Sequence, residues 1–183
     1  MAFLQIDYKS EALMRGVNIK VILPSDGMAG KWEPPYKTLY LLPGYSATAT
    51  ELITYLGLRG QSELKGIAIV LPDGENLFYQ DLPDRMTFYS TYVGKELVEV
   101  TRKMLPLSTK REDTFIGGIS MGGYGALYNG FKYRDTFSKV VAFSPASDAY
   151  MLLAEEDAPG FSRKQFEGIF GSKEAYYGSE CDM

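Results

Sequence analysis

The chain contains no histidine and a single cysteine, Cys181, the third residue from its end. One cysteine excludes an internal disulfide and any thiolate metal cluster. Without histidine, a zinc site would need several carboxylates at ligand spacing, and no such spacing occurs. Nor is there a run of Lys or Arg able to neutralise a phosphate backbone; net charge is −4, so nucleic acid is excluded as a partner. No apolar stretch approaches the roughly 18 residues of a membrane span. The opening "MAFLQIDYKS" lacks a basic region followed by an apolar one, and predicts a cytoplasmic protein, although a cleaved leader missing from the chain would give the same reading. No cofactor motif is present.

What is there fits one globular α/β domain over residues 1–183. The composition is 45% hydrophobic, 14% aromatic and 23% charged, ordinary for a folded core with an excess of rings that hints at a lined pocket. "FLQIDY" and "VNIKVIL" alternate apolar and polar residues and predict an antiparallel pair at one sheet edge. "TLYLL", "IAIVL", "TFIGGI" and "VVAF" are short continuous apolar runs, the pattern of strands covered on both faces.

Helical patterns lie between them. Thr48 with Glu51 forms a capping box, followed by Leu52, Tyr55 and Leu56 on one face. A second helix is expected over about 91–105, with Val93, Leu97, Val100 and Met104 inward and Pro106 as its stop. A third begins after Ser120, and another is expected from Ser147 or Asp148 through "AYMLLAEE". Alternation of this kind means a mostly parallel sheet with helices on both faces. No strand pattern follows "VVAF", so an interior-type strand is left at the edge and the sheet reads as unfinished there.

The chemistry concentrates in "GGISMGG", Gly117 to Gly123, which sets Ser120 in a G-x-S-x-G frame. With 19 glycines in the chain, roughly 0.1 chance matches are expected, so context decides. A buried-strand pattern runs into Ser120 and a helix of small residues runs out of it. Such a turn holds a serine in a strained conformation with its hydroxyl proud of the sheet. Gly118 and Gly122 are then required where side chains would collide. "LLPGYS" places Gly44 and Tyr45 after a neighbouring strand, so the Tyr45 and Met121 amides are candidates for an oxyanion hole. Tyr79 and Tyr124 are candidate pocket residues, equally readable as core. Asp73 reads as a turn residue and Asp148 as a helix cap. No lysine stands near Ser120 in sequence, and Lys139 starts a strand, at the end away from the serine.

"LYLLPGYS", "VLPDGENLFYQD", "KREDTFIGGISMGGYGAL" and "FSKVVAFSPA" together resemble the esterase D, tributyrin esterase and S-formylglutathione hydrolase branch of the α/β-hydrolases, over about residues 1–170. The resemblance implies a three-layer α/β/α sandwich and hydrolysis of short-chain acyl or aryl esters through an acyl-serine. Ser120 matches the nucleophile, Tyr45 and Met121 the oxyanion positions, and Tyr79 an aromatic near the acyl pocket. The chain departs from the family in reading Pro43-Gly44 where His-Gly is usual. It also stops short of the late strands that carry the family's acid and histidine, so it is expected to be C-terminally truncated and inactive alone. A non-catalytic binding protein and an acyltransferase share the same pattern, and the sequence leaves association into a homo-oligomer open.

Overall fold

The computed structural model describes residues 1–26, 32–150 and 162–183. Six strands form one sheet in the order β1-β2-β4-β3-β7-β8. Strands β1 (Ala2–Ser10) and β2 (Arg15–Leu23) pair antiparallel at one edge, as their alternation predicts, and β2 runs antiparallel to β4. The rest is parallel: β3 (Lys37–Leu42) lies between β4 (Ile67–Pro72) and β7 (Thr114–Ile119), and β8 (Lys139–Phe143) follows β7.

Continuous apolar runs form the centre because alternate residues serve different cores. Tyr40, Leu42, Ala68, Val70 and Ile116 face one core, packed with Val93, Leu97 and Tyr124. Leu41, Ile69 and Leu71 face a smaller one with Ala49, Leu52 and Leu58. Helices α1 (Ala49–Tyr55) and α2 (Leu58–Lys65) cover that second face, completing three layers. Thr48 and Glu51 form the expected capping box. The helix is shorter than its periodicity predicts, because Gly57 at φ 60° breaks it; Tyr55 and Leu56 end up exposed.

Between β4 and the next helix stands a small hairpin, β5 (Asp81–Leu82) and β6 (Thr87–Phe88), joined by a turn at Pro83–Arg85 that no apolar run signals. The following helix begins at α3 (Tyr89–Thr91) and passes through a π turn at Tyr92–Glu96 into α4 (Leu97–Met104). In that turn the Leu97 amide donates to the Tyr92 carbonyl, five residues back. The extra residue rotates the buried stripe to Tyr92, Val93, Leu97, Val98 and Thr101. Met104, expected inside, is 52% exposed.

Helix α5 (Met121–Lys132) packs on β7 and β8. The helix expected through "AYMLLAEE" falls mostly outside the described residues. Beyond it, α6 (Arg163–Phe170) and α7 (Lys173–Tyr176) bury Phe166, Phe170 and Tyr176. No further strand pairs with β8 among the described residues, and its Val141 and Phe143 are 44% and 55% exposed. Leu39, Leu41, Ile119 and Phe143 line an apolar groove of about 480 Å³ on that side. Among the described residues no helix is long and apolar enough to cross a membrane.

Candidate active site

Ser120 occupies the single residue between β7 and α5, with φ 55° and ψ −118°. A non-glycine residue there stores strain of about 1–3 kcal/mol, tolerated only when its surroundings fix it. They do. The Ser120 amide donates to the Phe143 carbonyl at 3.0 Å, and its carbonyl accepts from the Tyr124 and Ala146 amides at 3.0 and 3.1 Å. Both backbone groups are thus spent, while the side chain stands exposed at the C-terminal end of the parallel strands. Its hydroxyl makes no hydrogen bond among the described residues.

The two glycines of the motif are there for want of space. A Cβ on Gly118 would lie 2.0 Å from the Gly122 carbonyl oxygen, and one on Gly122 would lie 2.1 Å from that of Leu42. This close approach of α5 to the end of β3 brings the second loop against the serine. A Cβ placed on Gly44 would come within 3.5 Å of the Ser120 Cβ, so the Gly44–Tyr45 peptide runs directly beside the elbow. Met121 opens α5, where amides of the first turn have no intrahelical acceptor and carry the positive end of the helix dipole. Met121 itself is buried.

Three further groups hold the segment from Pro43 to Ala49. Tyr79 donates its hydroxyl to the Pro43 carbonyl at 2.8 Å. Asn76 accepts from the Ser46 amide through Oδ1 at 2.7 Å. Asp73 accepts from the Ala49 amide at 2.7 Å, anchoring the start of α1. Burial pushes the Tyr79 phenol well above its ordinary range, so it stays a donor.

Tyr79 and Tyr124 therefore sit behind the site and not in the pocket. Both are 0% exposed. Tyr79 fills space left by two glycines, since a Cβ on Gly125 would meet its ring at 2.3 Å and one on Gly74 its hydroxyl at 2.5 Å. Tyr124 donates to the Cys181 carbonyl at 2.9 Å and accepts from Gln80 at 3.1 Å, tying the C-terminal tail to α5. Burial raises its phenol as well. Asn76 escaped the sequence reading, because nothing local marks it as the partner of a loop 30 residues away. Asp148 accepts from the Tyr177 hydroxyl at 3.1 and 3.2 Å. Lys139 pairs with Phe115 at the far end of the β7–β8 ladder, away from Ser120. Among the described residues there is no group of three or more His, Cys, Asp or Glu able to hold a metal.

A serine displayed on a strand-to-helix elbow, at the C-terminal end of a mostly parallel sheet layered by helices, defines an α/β-hydrolase-fold serine hydrolase. The chain belongs to the putative esterase family, whose family model matches residues 10–170. It is 35% identical over 191 residues to an acetyl esterase of Caldicellulosiruptor saccharolyticus, covering 100% of this chain and 72% of that protein. Identity to an S-formylglutathione hydrolase of Paracoccus denitrificans is 28%, covering 92% of this chain and 63% of that one. Among solved structures, the Staphylococcus aureus fluorophosphonate-binding serine hydrolase FphF superposes with a TM-score of 0.83 at 29% identity, covering 99% of this chain and 70% of its own. These relatives make the protein a carboxylesterase-type serine hydrolase.

Proposed function

We propose that Ser120 is the nucleophile and that the Tyr45 and Met121 amides form the oxyanion hole, acting on short-chain acyl or aryl esters. The observation that carries this reading is the Ser120 conformation itself: φ 55°, both backbone groups hydrogen-bonded, and the hydroxyl exposed beside Gly44. Ser120 Oγ bonds to the ester carbonyl carbon while the carbonyl π pair moves onto oxygen, where two amides stabilise the charge. Collapse breaks the carbon–oxygen bond to the leaving group, which departs as alcohol or phenol once protonated. Water then releases the acid from the acyl-serine. The acetyl esterase relative supports a small acyl group.

The Ser120 proton needs an acceptor, and histidine, the usual one, is absent from the sequence. The 183 residues alone should therefore turn esters over slowly, because loss of a triad member costs on the order of 10⁶ in kcat. Labelling with a fluorophosphonate, followed by peptide mass spectrometry, tests the nucleophile directly. Modification at Ser120, slow without a histidine base and abolished in Ser120→Ala, supports the assignment; modification at another residue in place of Ser120 overturns it.

A further inference from the structure

Beside the oxyanion loop lies a cleft of about 340 Å³ whose walls include Tyr45, Leu77 and Ile169. Arg85, at the turn of the β5–β6 hairpin, also lines it. Among the described residues Arg85 makes neither an ion pair nor a hydrogen bond. Its guanidinium instead rests against α6 at Gly168, where an added Cβ would lie 2.6 Å from Nη2. The hairpin that presents it is fixed at its base: Asp81 accepts from the Thr91 amide and hydroxyl at 2.9 and 3.0 Å, and the Phe88 amide donates to the Ala12 carbonyl at 3.1 Å.

Three acidic or polar neighbours share this cleft with Arg85, of which Asn76 is bonded to the Ser46 amide through Oδ1. Glu75 also lines it, but its carboxylate is committed to Arg15. Gln165 uses its side-chain oxygen to accept from the Ser162 amide at 3.1 Å, which leaves its NH2 group as a donor. The cleft thus combines apolar walls, an amide donor and an uncompensated guanidinium, on a protein whose net charge of −4 otherwise disfavours anions. Guanidinium presents paired N–H groups that match a carboxylate.

We propose that this cleft is a carboxylate subsite, built on Arg85, which selects esters carrying an anionic substituent on a short alkyl or aryl group. The proposal rests on the esterase reading above. Benzoate and benzamide, alike in shape and different in charge, test it by NMR titration of the 183-residue chain, of Arg85→Gln and of Ser120→Ala. Benzoate should bind about fivefold more tightly than benzamide, with a preference that shrinks as salt is added. The preference should vanish in Arg85→Gln, survive in Ser120→Ala, and persist in part in Arg85→Lys. Equal binding of the two probes, or a preference that survives Arg85→Gln, overturns the subsite. Fluorophosphonate labelling separates the two readings. A labelled Ser120 without charge preference sinks the subsite alone; a charge preference with labelling at another residue in place of Ser120 supports the subsite and sinks the Ser120 assignment.

Discussion

The Tyr79 hydroxyl, wholly buried, donates to the carbonyl of Pro43 at 2.8 Å and so fixes the loop that carries the Tyr45 amide. Tyr79→Phe keeps the ring that fills the space at Gly125 and removes only the donor. The stranded carbonyl should cost about 1–3 kcal/mol of stability. Urea denaturation measures that loss, and the fluorophosphonate labelling rate of Ser120 should fall with it. An unchanged rate would show that the loop holds its shape without Tyr79.

Strain at Ser120 separates two substitutions that both remove the hydroxyl. Ser120→Gly relieves the positive φ and should raise stability by about 1 kcal/mol, whereas Ser120→Ala keeps the strained backbone and should not. Neither variant should be labelled. Melting temperatures of the pair decide the point.

Glycines of the chain divide by what surrounds them. Gly122→Ala would drive a Cβ into the Leu42 carbonyl at 2.1 Å and should destabilise by more than about 2 kcal/mol. Gly60→Ala, within α2 and with nothing inside 4 Å, should instead stabilise by about 0.5–1 kcal/mol. Chemical denaturation of both variants provides the contrast.

Alkaline pH should weaken the fold through buried phenols. Burial pushes Tyr40 up to about 12 from an ordinary 10, against the partial relief of its hydrogen bond with Thr101. A group raised in the folded state contributes stability that is complete below pH 10 and is lost as pH climbs through 12. For Tyr40 the loss is on the order of 2 kcal/mol. The urea midpoint should drop between pH 9 and pH 11, and drop less in Tyr40→Phe.

The edge position of β8 should make the chain self-associate. Val141 and Phe143 project from a strand whose outer side has no partner among the described residues. Phe143→Lys should lower the weight-average mass seen by sedimentation at high concentration while leaving the far-ultraviolet spectrum unchanged. Equal masses for the two proteins would mean the edge is inert.

Local patterns in the sequence determined much of the protein. Period-two alternation placed β1 and β2, continuous apolar runs placed β3, β4, β7 and β8, and the crowding of Gly118 and Gly122 around Ser120 marked the elbow. These features are legible because they follow from neighbours along the chain: strand periodicity, capping within three residues, and a turn too tight for side chains. Only the tertiary structure decided which distant groups meet. Tyr79 lies 36 residues from the carbonyl it holds, and Asn76 lies 30 from Ser46. The π turn shifted the inward face of a helix whose ideal period indicated Met104, and the hairpin bearing Arg85 has strands of two residues, too short for any periodicity to show. Whether an aromatic ring fills a core or faces a ligand, and whether a guanidinium has a partner, depends on how elements pack across the sheet.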